Sequence, residues 1–181
     1  MKRKFDLSLL INRTGRLPIS ELKRLVSETK VSAFENEFPH PSFVGTSLKA
    51  GEFAQDYMVN QSTMKFIDDA DKVGSSLESA VFPIFRMPES TSPIGEFSIG
   101  RTDENDIVMN DYSISKRHAK IFTSKEGYKI IDLGSRNGIT INEDFIEPNK
   151  EYDLIPGLEI GIGRYQFNLV HARELYAKIS P

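Results

Sequence analysis

Three short stretches of the chain gather donor-rich side chains beside turn-forming residues. They are Gly100-Arg101, Ser115-Lys116-Arg117-His118 and Ser135-Arg136-Asn137-Gly138. Guanidinium and ammonium groups only donate, a hydroxyl both donates and accepts, and an amide sets an NH2 beside a carbonyl. Groups of this kind suit an oxyanion such as phosphate, held through charge-assisted hydrogen bonds. Each residue also has a plainer reading. Arg101 is then a solvated arginine at a strand end, Ser115 a turn residue bonded to its own backbone, Lys116 and Arg117 exposed charges, and Arg136 and Asn137 the tip of a hairpin.

His118 follows three residues after Ser115, which raises the question of a nucleophile and its base. A hydrolase would also need a group to orient the base and an oxyanion hole. No nucleophile elbow is readable, so no catalytic residue is assigned and an enzyme is not expected. His40 and His171 stand in unrelated contexts, and no metal or other cofactor is expected. The stretch GIGR, Gly161–Arg164, lacks the glycine spacing and following helix of a nucleotide loop.

The elements that must position these loops are strands. From about Ala80 onward, short apolar or alternating runs recur: AVFPIFRM, GEFSIGR, DIVM, HAKIFTS, GYKIIDL, GITIN, EYDLI, LEIGIG and YQFNLV. Turn clusters PESTSP, TDEN, KEG, GSRNG and IPG separate them. This ladder predicts an all-β antiparallel β-sandwich over residues 80–172. No later run is long enough for a crossover helix except the last residues, from His171, so an α/β nucleotide fold is disfavoured. Residues 173–181 read as a short tail.

Residues 1–79 read as an N-terminal extension. Pro18 suits a first helical turn, Ser20 or a neighbour suits the cap, and Leu22, Leu25, Val26, Ala33 and Phe34 share one face at helical spacing. The spacing predicts one amphipathic helix over about 19–36, ended by Pro39 and Pro41. Residues 40–79 are less clear: SFVGTSL and STMKFI suit short strands, and Gly74-Ser75-Ser76 suits a linker.

Composition narrows the function. The chain has 181 residues, a net charge of −3 and no cysteine. That excludes disulfides and thiolate chemistry, and it gives no support to a broad nucleic-acid surface. No apolar run nears the ~18 residues of a membrane span. Asp6 and Ser8 interrupt the basic, apolar start, so a signal peptide is not expected and a cytoplasmic location is. The charge surplus lies in residues 80–181, with 12 basic against 15 acidic residues, so the donor loops stand out from an acidic background.

Five stretches in order carry a family resemblance: FSIGR (Phe97–Arg101), NDIVM (Asn105–Met109), SISKRHAKI (Ser113–Ile121), DLGSRNGITIN (Asp132–Asn142) and GLEIGIG (Gly157–Gly163). Residues 80–172 resemble a forkhead-associated (FHA) domain. The resemblance implies an eleven-stranded sandwich that binds phosphothreonine peptides at its loop end. It implies that Arg101 and Ser115 contact the phosphate, with Lys116 near it. Asn137 would hold the peptide backbone, and Arg136 would face the ligand, reading the third residue after the phosphothreonine. Gly100, His118 and Gly138 would support the site.

The expected function is therefore a phosphothreonine-dependent interaction module acting after a serine/threonine kinase in signalling. The alternative is a phosphate-independent scaffold or assembly subunit that uses the N-terminal extension. A phosphorylated threonine of that extension, Thr14 of NRTGR before Thr29, Thr46 and Thr63, is a further candidate ligand; Thr91 lies nearer the sandwich.

Overall fold

A computed structural model of the chain describes residues 7–48, 80–86 and 88–180. The period-two apolar runs become strands because alternate side chains then reach one buried layer. In chain order they are β1 (Ser42–Leu48), β2 (Val81–Pro83), β3 (Glu96–Gly100), β4 (Ile107–Val108), β5 (Ala119–Ser124) and β6 (Gly127–Asp132), then β7 (Ile139–Ile141), β8 (Asp144–Phe145), β9 (Glu151–Leu154), β10 (Glu159–Ile162) and β11 (Tyr165–Val170). Among the described residues these form two sheets. One is ordered β2-β1-β11-β10-β7-β8 and the other β4-β3-β5-β6-β9. The β3–β4 pair is parallel, whereas β3–β5, β5–β6 and β6–β9 are antiparallel. Phe43, Phe82, Ile99, Ile121, Ile130, Ile160, Ile162, Phe167 and Leu169 fill the space between the sheets.

The strand SFVGTSL differs from the division drawn at residue 80. As β1 it pairs with both β11 and β2 and is an interior strand of the six-stranded sheet. The apolar Phe43 gives the reason, since it is fully buried beside Phe167, with ring centroids 6.0 Å apart. The possible strand STMKFI, the linker Gly74–Ser76 and Thr63 lie outside the described residues.

The helical stretch is divided. α1 spans Ile19–Glu28 and α2 spans Val31–Glu37, with Thr29 and Lys30 both extended between them. The Thr29 hydroxyl donates to the Leu25 carbonyl at 2.6 Å, and Tyr176 Oη donates to the Thr29 carbonyl at 2.8 Å. Those bonds close the end of α1, and the break changes the phase of α2, leaving Ala33 exposed while Phe34 is buried. Pro18, not Ser20, occupies the N-cap position, without a side-chain cap. The tail is also ordered: α3, Ala172–Ile179, buries Ala172 and Leu175. Leu22, Leu25, Phe34, Phe38 and Leu175 join Val81 and Val170 of the sheet in a second apolar cluster.

Residues Thr14–Leu17 connect the two sheets at their margins. Val108 N of β4 donates to the Thr14 carbonyl at 3.0 Å, and Leu17 N donates to the Val81 carbonyl of β2 at 2.8 Å. β4 and β2 each end their sheets, so this strap bridges two edges. The Asn12 side chain shapes it, with Oδ1 accepting from Thr14 N, Thr14 Oγ1 and Arg16 N.

Candidate functional site

Strand direction alone gathers three loops. β4 runs parallel to β3, and β6 is antiparallel to β5, which is antiparallel to β3. The strands β3, β4 and β6 therefore all leave the sheet at one end. The loops that follow them carry Arg101, Ser115-Lys116 and Arg136-Asn137.

These loops are bonded directly to one another. Arg101 N donates to the Ser115 carbonyl at 3.0 Å, and Arg101 Nε donates to the Ile114 carbonyl at 3.2 Å. Arg136 N donates to Ser115 Oγ at 3.0 Å. Asn137 Nδ2 donates to the Ser113 carbonyl at 2.8 Å. The Lys116 carbonyl accepts from Asn105 Nδ2 at 2.8 Å and from Thr102 Oγ1 at 3.3 Å. Arg101, Ser115, Arg136 and Asn137 thus share one small region, with Lys116 next to it. The Ser115 oxygen accepts from the Arg136 amide, which leaves its own hydrogen to donate outward.

His118 is fully buried beneath these loops. Its Nδ1 accepts from Ser115 N at 3.0 Å, so Nε2 carries the proton and donates to the Gly138 carbonyl at 3.1 Å. Burial lowers the His118 pKa, against a smaller upward pull from the Gly138 hydrogen bond and the Asp132 charge. A neutral ring tied at both nitrogens joins two loops and is not placed to take a proton from Ser115 Oγ.

Two glycines make the close approach feasible. A Cβ on Gly100 would run into the Lys116 carbonyl oxygen and stand 2.6 Å from Asn105 Nδ2. Gly138 has φ +72°, a left-handed conformation that disfavours side chains. Beside it, buried Asp132 accepts from Ser135 N at 2.7 Å and Ser135 Oγ at 3.0 Å, and Ser135 Oγ accepts from Gly138 N at 3.0 Å. The tip holding Arg136 and Asn137 is therefore built from inside.

Arg117 stands apart. Its side chain lines a groove of about 270 Å³ with Glu96, Ser98, Lys120 and Leu133. Behind the lining residues Ser92 and Ser98, Asp106 accepts from Ser92 Oγ, Ser98 N and Ser98 Oγ. Burial pushes the Asp106 carboxyl up, but hydrogen bonds from Ser90, Ser92 and Ser98 together bring its pKa below the ordinary value.

The sequence reading missed the support beneath Ser113. Asp111, Arg164 and Tyr165 form a buried polar group there, with Arg164 Nη2 and Tyr165 Oη each 2.6 Å from Asp111 Oδ2. Burial opposes the Arg164 charge, yet Asp111 and Tyr165 raise its pKa. The only sequence signals are a lone aspartate before SISKRH and the arginine of GIGR.

Thr14 is partly exposed and is bonded at its hydroxyl and its carbonyl. Its hydroxyl donates to Asn12 Oδ1 at 2.6 Å, and its carbonyl accepts from β4.

Comparison with known proteins agrees with this geometry. The FHA domain family matches residues 97–163. Those residues form an FHA domain. An oxoglutarate dehydrogenase inhibitor of Corynebacterium jeikeium is 36% identical over 67 residues, which is 37% of this chain and 44% of that protein. The glycogen accumulation regulator GarA of Mycobacterium tuberculosis is 33% identical over 69 residues, 38% of this chain and 41% of GarA. The chain thus spans less than half the length of these curated relatives. Among solved structures, the FHA domain of the CT664 protein from Chlamydia trachomatis is 34% identical, covering 41% of this chain and 75% of that one, at a TM-score of 0.38. Mycobacterium tuberculosis EmbR in complex with a low-affinity phosphopeptide is 31% identical, covering 42% of this chain and 20% of that one, at a TM-score of 0.40. Among the described residues, no helix is long and apolar enough to cross a membrane.

Proposed function

We propose that the chain is a phosphothreonine-peptide-binding interaction module that recruits a partner after a serine/threonine kinase has acted. The observation that carries this reading is the direct bonding of three donor loops at one end of the sandwich. Arg101 and Ser115 meet the phosphate, Lys116 adds charge beside it, Asn137 holds the peptide backbone, and Arg136 faces a neighbouring side chain. Gly100, His118 and Gly138 support them. Residues 80–172, together with β1, make the binding body, and the helices lie behind it.

Charge-assisted hydrogen bonds contribute about 1.5–3 kcal/mol each. Two or three of them are compatible with a micromolar complex, near −8 kcal/mol. A carboxylate has less charge and fewer acceptor oxygens than phosphate, so a Thr→Asp peptide replaces it poorly. Titration calorimetry with matched phosphorylated and unphosphorylated peptides tests the reading. Arg101→Ala and Ser115→Ala are each expected to weaken the phosphopeptide about 10- to 150-fold, the range set by one such bond. Equal binding of both peptides, or full affinity in both variants, sinks it.

The scaffold alternative draws on the apolar stripe from Leu22 to Phe34, in which Phe34 of α2 is buried too. Leu22, Leu25 and Val26 are buried within the chain itself, against the sheet and α3, so that stripe is already covered.

A further inference from the structure

We propose that Asp111 and Arg164 are positioning residues for the phosphopeptide site, acting through Ser113 on Ser115 and Asn137. The inference rests on the phosphothreonine reading and adds two residues that touch no ligand.

The geometry is continuous. Arg164 lies in the turn between β10 and β11, in the six-stranded sheet, whereas Ser113 lies in the loop between β4 and β5 of the other. Arg164 Nε and Nη2 donate to Asp111 Oδ2 at 3.0 and 2.6 Å. The other carboxylate oxygen, Oδ1, accepts from Ser113 N at 2.8 Å. Arg164 N donates to Ser113 Oγ at 3.1 Å. The third polar group of Ser113, its carbonyl, accepts from Asn137 Nδ2. Every polar atom of Ser113 is therefore engaged, one by the Asp111 carboxylate, one by the Arg164 backbone amide and one by the residue proposed to hold the peptide. Ser115 follows two positions later, with its amide tied to His118.

The choice of residues also argues for positioning. The Asp111 side chain is 0% exposed and that of Arg164 is 17% exposed. Removing two charges from water costs more than their attraction commonly returns, so apolar replacements often match or exceed a buried pair in stability. What an apolar pair cannot supply is direction. The carboxylate links a guanidinium and a tyrosine hydroxyl on one oxygen to a loop amide on the other. The Arg164 guanidinium also lies 4.8 Å over the Tyr112 ring, which restricts its own movement.

The test uses the intact chain and the tightest phosphothreonine peptide selected from a degenerate library. Arg164→Met keeps the side-chain stem but removes both donors to Asp111. It is expected to weaken that peptide at least 10-fold, measured at a temperature where a urea titration shows the variant folded. Added to Arg164→Met, Ser115→Ala should cost less than 3-fold, because its hydroxyl is already displaced; a purely structural role leaves the two losses multiplicative. Arg164→Lys keeps the charge with a different donor geometry and should fall between the native chain and Arg164→Met. If Arg164→Met does not fold, the same cycle is run on Arg164→Lys. Native affinity in a folded Arg164 variant, or multiplicative losses, overturns the proposal while leaving phosphothreonine binding intact. Failure of the native chain to prefer the phosphorylated peptide overturns both.

Discussion

At the scale of single residues, the site depends on protonation as well as shape. Burial lowers the pKa of both His118 and His40, whose ring is bonded to the Tyr128 hydroxyl. A histidine with a lower folded pKa takes its proton more readily in the unfolded chain. Its contribution to stability is therefore complete above the unfolded value of about 6.5 and is lost as pH falls through the folded value. The urea midpoint should decline between pH 7.5 and pH 5.5, and His40→Gln should make that decline shallower. A midpoint that stays level in the native chain would contradict the buried, neutral assignment. The ring of His118 also shows what was readable at this scale. The resemblance implied a supporting role for it, but the bonds of its two nitrogens needed coordinates, since the Gly138 carbonyl lies 20 residues away in sequence.

At the scale of elements, the strand ladder after Ala80 was legible because alternation encodes a half-buried strand without reference to its neighbours. The site loops were legible too, since Gly-Ser-Arg-Asn-Gly marks a turn by local chemistry alone. The Asp111–Arg164 pair was not, because nothing local joins a loop aspartate to an arginine 53 residues away. The break between α1 and α2 was missed for a related reason: helical periodicity carried on through Thr29, while the bonds that end α1 include one from Tyr176. Gly100 gives a test at this scale, where β3 meets the loop from β4. Gly100→Ala would drive its Cβ into the Lys116 carbonyl and the Asn105 side-chain amide, so the Lys116 backbone has to shift and the Asn105 side chain with it. Overpacking of this sort typically costs about 1–3 kcal/mol. The expected result is a lower urea midpoint together with weaker phosphopeptide binding. A native midpoint would mean that the junction is looser than described.

At the scale of the whole molecule, α1, α2 and α3 give the six-stranded sheet a second apolar layer. Phe34 stacks on Phe38 at 4.4 Å and meets Tyr176 edge-on at 5.4 Å. Residues far apart in the chain are thereby drawn to one side of the sheet, leaving the loop end at the exits of β3, β4 and β6. Removing residues 1–17 deletes the strap and uncovers Leu17's place against β2 as well as the β4 margin. Unpaired strand margins promote association. Light scattering after size exclusion should show dimers or larger species for the shortened chain, and an unchanged mass would argue that the strap seals nothing. The strap has a further meaning for recognition. Main-chain pairing along a strand accepts almost any extended polypeptide, whatever its side chains. By supplying its own Thr14 carbonyl to Val108, the chain fills that indiscriminate berth itself. A passing polypeptide then finds the β4 margin taken, while at the loop end admission can be made to depend on a single phosphate.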